Sequence, residues 1–380
     1  MQITSEQQAV RDLAIEIARK EIAPNIAAWD KEHHFPRAVF STLSRAGLMG
    51  MLVPEQHGGS GAGYVAYALA IEALSRFDAG TATTVSVHSM VSAAVKLLGS
   101  QEQKDRWLPQ LAAQECIAGF ALTEPEAGSD AASLRATATS QGDFYILRGR
   151  KQWCSTARYA GVIMAMFRTG GPGAKGISAF LVDPKLPGIH IERVTEKLGV
   201  RTSDTCDLAF DDVRVSQNAR LGAEGTGFTG AMTALCGGRI GIAAQATGIL
   251  EACLDESVKF ASERHAFGKP IGAFEGVAFK IARMATDLEA ARLLVHEAAS
   301  LADRGDAFAT AASKAKFFAS TAARKHAAEA VQIHGGYGYT AEFPVERYYR
   351  DAKITEIYEG TSEIQQIIIA RSLLGKGASP

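Results

Sequence analysis

The sequence predicts a multi-domain α+β fold: an all-α N-terminal domain (1–118), a central β-barrel or β-sandwich domain (119–227) and a C-terminal four-helix bundle (228–380). Two observations predict it. The chain has 380 residues, which is too long for one ordinary hydrophobic core. Apolar residues also recur at helical spacing near both ends of the chain, whereas short alternating or β-branched runs fill its middle.

The N-terminal region shows the helical period first. Val10, Leu13, Ala14 and Ile17 share one face of a helix, and the same spacing returns within 67–74 and 90–98. Prolines and a glycine cluster interrupt these segments at Pro36, Pro54 and 58–63. We therefore expect several helices joined by turns.

The middle region predicts strands. Gly, Pro and Asp separate its apolar runs at intervals near the ~8–12 residues typical of a sandwich or barrel. The runs are 144–147, 162–167, 177–182, 189–194 and 206–215.

The C-terminal region returns to the helical period in long, alanine-rich segments. These are 231–264, 274–302, 310–334 and 362–374. Helices of this length pack best against each other, so an antiparallel bundle is expected.

Composition excludes several classes of function. Apolar residues make up 47% and charged residues 21%, and a net charge of −1 provides no field that would attract nucleic acid. No run reaches the roughly 18 apolar residues of a membrane span, and the start at Met1 lacks a signal-peptide pattern. We expect a cytoplasmic protein with no membrane partner. Five scattered cysteines, without a Cys-x-x-Cys pair, argue against a metal site.

Two glycine-rich segments match dinucleotide-binding fingerprints. Residues 225–230 fit G-x-G-x-x-G, and 61–66 fit its alanine variant. That fingerprint needs a buried strand before it, because the glycines must turn a strand into a helix that meets the pyrophosphate. Polar loops precede both segments, so turn glycines are the favoured interpretation.

Three other stretches combine residue types that core packing does not require. In 120–130 an apolar strand breaks into a Pro and Gly turn that carries hydroxyls, which suits a polar ligand or a plain strand end. In 150–156, Trp153 stands near a hydroxyl and could lie beside a planar heterocycle or simply pack in the core.

The third stretch, 350–362, leads into the last helix. Ser362-x-x-Gln365 is similar to a capping box, which places Glu359 and Gly360 in the loop before that helix. A carboxylate held there against an apolar pocket would have a raised pKa and could act as a base. A solvated loop glutamate is the alternative.

In this order on an α–β–α chain, the stretches resemble the acyl-CoA dehydrogenase family. The matching segments are FALTEPEAGSD, SERHAFGKPIGAFEG, AVQIHGGYGYTAEFPVERYYRDAKI and IYEGTSEIQ, which run from 120 to 367. With APN…WD…FP and VPEQHGGSG, the resemblance extends over essentially the whole chain.

The resemblance implies an FAD site. Phe120, Leu122, Thr123 and Ser129 would line the flavin and pyrophosphate, and Ser129 would also lie near the acyl-CoA. Trp153 and Ser155 would flank the flavin ring, and Thr361 would also contact FAD. The adenine and pyrophosphate half would be reached, from a neighbouring subunit in this family, by Arg264, Phe267, Gln332, Gly335 and Gly336. An arginine suits phosphate oxygens because its guanidinium binds them in a fork.

The resemblance also implies that Glu359 removes the α-proton of an acyl-CoA while a hydride passes to flavin N5. The Glu359 N–H and a flavin ribityl hydroxyl would bind the thioester carbonyl, and Arg239 and Gly360 would contribute to substrate binding. Isovaleryl-type members carry the base immediately before the arginine that aligns with Arg239. Gly238 stands there, so Glu359 is the predicted base.

The expected substrate is short or branched, close to isobutyryl-CoA or butyryl-CoA. Electron-transfer flavoprotein would be the partner and a homotetramer the assembly. The alternatives are an acyl-CoA oxidase or a flavin monooxygenase on the same fold, a nucleic-acid-binding relative and a catalytically silent acyl-CoA binder. The C-terminus carries no basic extension that would support a nucleic-acid binder, and a silent binder has no need of a base.

Overall fold

The computed structural model describes residues 3–113, 116–194 and 196–375. Its first part is helical, as predicted. The helices are α1 (Ser5–Ile17), which continues as a π-helical turn (Ala18–Ile22), α2 (Ile26–Glu32), α3 (Arg37–Arg45), α4 (Gly63–Ser75), α5 (Ala79–Leu98) and α6 (Gln101–Ala112).

Side-chain caps mark where these helices begin. Thr4 accepts a hydrogen bond from the Gln7 N–H at 3.2 Å, and the Gln7 side chain accepts from the Thr4 N–H, which forms a capping box at the start of α1. Asp78 caps α5 by accepting from the N–H groups of Gly80 and Thr81. The runs predicted within 67–74 and 90–98 lie inside α4 and α5, but both helices begin earlier, at Gly63 and Ala79.

The middle of the chain forms one mainly antiparallel sheet, confirming the predicted β region. Its strands are β1 (Ile117–Ala121), β2 (Thr137–Gln141), β3 (Phe144–Ser155), β4 (Ala160–Arg168), β5 (Ile177–Val182), β6 (Ile189–Arg193), β7 (Thr205–Ser216) and β8 (Arg220–Leu221). The order is β6-β7-β3-β1-β4-β5-β8. β1 joins β3 and β4 near one end, and β2 joins the same two strands near the other.

The C-terminal helices are α7 (Gly227–Glu263), α8 (Glu275–Asp303), α9 (Ala309–His334), α10 (Val345–Ile354) and α11 (Ser362–Leu374), with the short hairpin β9 (His265–Ala266) and β10 (Lys269–Pro270) after α7. Four of these agree with the predicted bundle helices. α10 was not predicted as a helix. The predicted boundaries at 118/119 and 227/228 stay a prediction, and residues 376–380 of the last predicted domain lie outside the described residues.

The two helical regions share one hydrophobic core. Residues of α1, α4, α7, α8 and α9 belong to the same buried cluster. Helix α4 approaches α7 closely at Gly248, where an added Cβ would lie 2.2 Å from the Glu72 carbonyl oxygen. This junction of the N-terminal helices with α7 positions the site described next.

Candidate active site

The loop between α10 and α11 carries the predicted base. Thr361 caps α11, with its hydroxyl accepting from the Ile364 N–H at 3.4 Å. The predicted capping role of Ser362 is therefore wrong by one residue, because Ser362 is already the first helical position. The prediction that Glu359 and Gly360 precede the helix is confirmed. Both have left-handed backbones, with φ of 57° and 94°.

The left-handed turn directs the Glu359 side chain onto α7. A Cβ added to Gly238 would lie 2.2 Å from Glu359 Oε2 and 3.1 Å from Met90 Sδ. The carboxylate therefore occupies the space that any side chain at position 238 would need. Positions 238 and 359 therefore point into the same small volume.

Three glycines of α7 let neighbouring side chains pack directly on the helix backbone beside this carboxylate. A Cβ at Gly237 would meet the Tyr64 hydroxyl at 2.9 Å, and one at Gly241 would meet the Tyr67 hydroxyl at 2.1 Å. The Tyr67 hydroxyl is hydrogen-bonded to Ser86 at 2.9 Å. The glycine face of α7 is thus packed against α4 and α5. The glycine pattern GGRIG is visible in the sequence, but the sequence does not show which residues of α4 and α5 face it.

The electrostatic setting of Glu359 suits a general base. Burial raises the pKa of Glu359 to about 7, although the charges of Lys316 and Arg239 act in the opposite direction. Oε2 has no hydrogen-bond partner within the described residues. The alternative of a solvated loop glutamate is therefore wrong for this carboxylate. Lys316 was not singled out from the sequence.

Arg239 lies within electrostatic range of the Glu359 carboxylate and is only 6% exposed. Its Nη1 donates to Cys236 Sγ at 3.4 Å, and Nε has no partner among the described residues. The structure thus brings Arg239 together with Glu359. The predicted contact of Arg239 with substrate stays a prediction.

The predicted flavin-ring residues come together along two paired strands. Phe120 of β1 lies opposite Ser155 of β3, and the Gln152 N–H donates to the Thr123 carbonyl oxygen at 2.8 Å. Trp153 has a left-handed backbone (φ 58°), and its side chain is 54% exposed. The alternative that Trp153 packs in the core is wrong.

The turn after β1 carries the rest of this group. Leu122 is buried, Thr123 is half-buried and Ser129 is exposed. Beneath the turn, Lys151 Nζ donates to Glu124 Oε1 at 2.7 Å and to the Leu122 carbonyl oxygen at 3.2 Å. Glu124 also accepts from the N–H groups of Arg135 and Ala136. Both residues lie in motifs noted in the sequence, but no sequence pattern indicated that Lys151 and Glu124 form an ion pair.

The predicted adenine-side residues gather at another place. Arg264 and Gly335 cap the ends of α7 and α9, and together with Gly336 they line a cavity of about 500 Å³. Gln332 is exposed nearby, and Phe267, on the hairpin, is 95% exposed. Gly238 and Arg264 are 26 positions apart on or beside α7, or about 39 Å along the helix axis. Within one chain, the predicted adenine-side residues therefore lie far from Glu359.

In the described ranges, no group of three or more His, Cys, Asp or Glu side chains is arranged to hold a metal ion. The helices of the same ranges include none with the length and apolar character needed to cross a membrane.

Comparison with known proteins gives consistent matches along the chain. Three family profiles match: "Acyl-CoA dehydrogenase, N-terminal domain" over residues 4–115, "Acyl-CoA dehydrogenase, middle domain" over 119–213 and "Acyl-CoA dehydrogenase, C-terminal domain" over 225–374.

Individual relatives agree with these profiles. An acyl-CoA dehydrogenase of Bacillus subtilis is 47% identical over 377 residues, covering 99% of this chain and 100% of the relative. The mitochondrial short-chain specific acyl-CoA dehydrogenase of Rattus norvegicus is 43% identical, covering 98% and 91%. The solved structure of butyryl-CoA dehydrogenase from Megasphaera elsdenii superimposes with a TM-score of 0.97 at 39% identity, covering 98% and 99%.

Proposed function

Because the chain belongs to the acyl-CoA dehydrogenase family, a family of FAD-dependent oxidoreductases, we propose that it oxidises a short or branched acyl-CoA to the 2-enoyl-CoA, with Glu359 as the base. The observation that supports this proposal most is the Glu359 carboxylate itself. It lies against Gly238 with a pKa raised to about 7 and an oxygen that has no partner among the described residues. A carboxylate in this state accepts a proton near neutral pH.

In the proposed reaction, Glu359 has two roles, one for its backbone N–H and one for its carboxylate. The α-proton of a thioester is a weak acid until its developing enolate is stabilised, so a donor must reach the carbonyl oxygen. The Glu359 N–H donates to no acceptor among the described residues, and we assign it to that oxygen. Glu359 then takes the α-proton, a hydride leaves Cβ with its electron pair, and Cα–Cβ becomes a double bond.

Bound FAD supplies the acceptor for that hydride. The residues present fit the cofactor: Trp153 holds an exposed indole surface beside Phe120 and Ser155, which suits a planar ring. Leu122, Thr123, Ser129 and Thr361 are proposed to complete the flavin side. Substrate would lie between this surface and Glu359, with Arg239, Ser129 and Gly360 beside it.

A second copy of the chain is proposed to bind the other half of FAD. Arg264 and the exposed backbone of Gly335 and Gly336 offer a guanidinium and N–H groups that suit phosphate, and Phe267 and Gln332 are exposed beside them. Arg264 lies about 39 Å along α7 from Gly238, so a flavin placed beside Glu359 would leave its adenine half far from Arg264 of the same chain. We therefore propose that FAD spans two subunits, in agreement with the expected homotetramer.

The acyl group is proposed to be of about four carbons. The names of two relatives, short-chain specific acyl-CoA dehydrogenase and butyryl-CoA dehydrogenase, support this size. Electron-transfer flavoprotein is the proposed electron acceptor.

The test is anaerobic titration of the FAD-loaded protein with acyl-CoA esters of increasing length, followed by flavin absorbance. We expect butyryl-CoA or isobutyryl-CoA to bleach the flavin fully. Glu359→Gln should retain the flavin and bind acyl-CoA but lose bleaching, because an amide cannot accept the α-proton. Exposed Glu363 on α11 provides the control, and Glu363→Gln should bleach like the parent.

Full bleaching of Glu359→Gln would contradict the assignment of the base. Re-oxidation distinguishes the enzymatic alternatives in the same samples. If air restored the flavin absorbance as fast as electron-transfer flavoprotein does, an oxidase would be the better description.

A further inference from the structure

Lys316 of α9 is fully buried, and the chemistry proposed above does not use it. Its Nζ donates to the Thr355 carbonyl oxygen at 2.9 Å and to the Gly360 carbonyl oxygen at 2.7 Å. These carbonyls stand at the two ends of the segment 355–360, which contains Glu359. One ammonium group therefore ties together both ends of the loop that carries the base.

The loop needs such a tie because of its backbone. Glu359 and Gly360 are consecutive residues with positive φ, a backbone conformation that is unfavourable for an L-residue such as glutamate. Gln365 Nε2 also donates to the Gly360 carbonyl oxygen, at 2.8 Å. With Lys316 and Gln365 both bound, this oxygen has two donors, which matches its two lone pairs.

Packing alone does not account for a lysine at this position. Burying an ammonium group is costly, and burial accordingly lowers the pKa of Lys316 to about 8, although the charge of Glu359 acts to raise it. An apolar side chain would fill the same volume without that cost. The cost is understandable if the charge has a role at the neighbouring carboxylate.

We propose that Lys316 is a positioning residue for α-proton removal: it holds the Glu359 loop in its left-handed turn and places a positive charge that favours the ionised carboxylate. This inference rests on the proposed function, because it requires Glu359 to be the base. It assigns to Lys316 no contact with substrate or cofactor.

Several groups face Glu359 and contribute to its ionisation. Lys316 from α9 and Arg239 from α7 both favour the carboxylate form, with Lys316 the larger contribution. The hydroxyls of Tyr67 from α4 and Tyr358 from the same loop also lie within electrostatic range. Lys316 itself is further influenced by the acidic side chains Glu356 and Glu363. Removing Lys316 leaves burial opposed mainly by Arg239, so the pKa of Glu359 should rise.

The experiment compares Lys316→Met with the parent as FAD-loaded, full-length protein. Flavin reduction by butyryl-CoA is followed by anaerobic stopped flow between about pH 6 and 9. We expect the limiting reduction rate at neutral pH to fall about 100-fold, the size of effect that a misplacement of about 1 Å produces. The midpoint of the pH–rate profile should move to higher pH, because the base must be ionised to act. Hydrogen–deuterium exchange in the peptide that covers 355–361 should increase.

Lys314, an exposed lysine two positions away on the same helix, provides the matched control. Lys314→Met should keep the parental rate, pH midpoint and exchange. If Lys316→Met does not accumulate as a flavoprotein, Lys316→Gln retains a neutral donor of nearly the same size and should still shift the midpoint upward.

The outcomes separate this inference from the proposed function. Parental rate, midpoint and exchange in the Lys316 variant, alongside an inactive Glu359→Gln, would overturn the role of Lys316 and leave the base assigned. Activity in Glu359→Gln would instead overturn the proposed function. A slowed rate with an unchanged pH midpoint and unchanged exchange would also overturn the inference, since a merely structural defect would then explain the loss.

Discussion

At the scale of single residues, the site depends on the lack of a side chain at Gly238 as much as on the Glu359 carboxylate. The Glu359 carboxylate occupies the volume in which a side chain at position 238 would stand. The left-handed backbone of Glu359 and the missing side chain of Gly238 are therefore complementary features. No local pattern shows this contact, because the two residues are 121 positions apart; only the family resemblance linked position 238 with the base.

Gly238→Ala tests this complementarity. The added methyl would approach Oε2 to 2.2 Å, so we expect the carboxylate to be displaced and flavin reduction to slow about 100-fold. FAD content should remain unchanged, since Trp153 and its neighbours do not contact this methyl. The measurement is single-turnover flavin reduction by butyryl-CoA.

Gly276 of α8 offers the control for this substitution, because an added Cβ there meets nothing within 4 Å. Gly276→Ala should reduce flavin at the parental rate and gain a little helix stability. A parental rate in Gly238→Ala would show that the carboxylate moves aside without consequence.

At the scale of elements, the proposed flavin surface depends on the turn between β1 and β2. Glu124 and Lys151 form a buried pair beneath it, and Glu124 also holds the start of the next segment through the N–H groups of Arg135 and Ala136. This arrangement ties three backbone segments to one carboxylate. The shape of the turn therefore depends on a charge pair that solvent does not reach.

Lys151→Met should disturb this element strongly. It leaves the Glu124 carboxylate buried without its partner, a loss of about 3–5 kcal/mol in the free energy of unfolding for pairs of this kind. We expect a lowered Tm and loss of FAD on gel filtration. Arg148 lies on the same strand and pairs with Asp212 in an exposed ion pair, so Arg148→Met should cost less than about 1 kcal/mol. Equal effects of the two substitutions would contradict this account.

The sequence predicted elements better than it predicted contacts between them. α7, α8, α9 and α11 follow the predicted segments closely, because their apolar period is long and uninterrupted. The strand β2 was not predicted, since its sequence TATSQ is polar and mostly exposed. Helix α10 was not predicted either, since five of its ten residues are charged and it has no long apolar period. Register between β1 and β3, and the pairing of Lys316 with the 355–360 loop, depend on tertiary structure and were beyond any local pattern.

At the scale of the whole molecule, the site combines parts from distant regions. The loop 197–205 illustrates how they are held together. Asp351 of α10 accepts from the Val200 N–H at 2.6 Å, and Asp78 at the start of α5 accepts from the Thr202 hydroxyl at 2.8 Å. Burial raises the pKa of Asp351 to about 7, although Arg347 acts to lower it. The sheet is thereby fastened to helices from both ends of the chain.

Assembly should be required for cofactor retention, because the proposed adenine-side residues lie far from Glu359. Arg264→Glu should leave the helical content unchanged but release FAD upon dilution, since a carboxylate repels phosphate. Arg283, exposed on α8, serves as the control, and Arg283→Glu should retain FAD. The measurement is bound FAD per chain against protein concentration, together with mass from light scattering. Retention of FAD by a monomeric species would contradict the two-chain site.

The glycine face of α7 also restricts how this site can change. Gly237, Gly238 and Gly241 carry no side chains, so every replacement on this face of α7 adds bulk. More room for a longer acyl group of the proposed substrate must therefore come from smaller side chains at Tyr64, Tyr67 or Met90. Substitutions that would enlarge the proposed substrate site are thus confined to the residues that face α7.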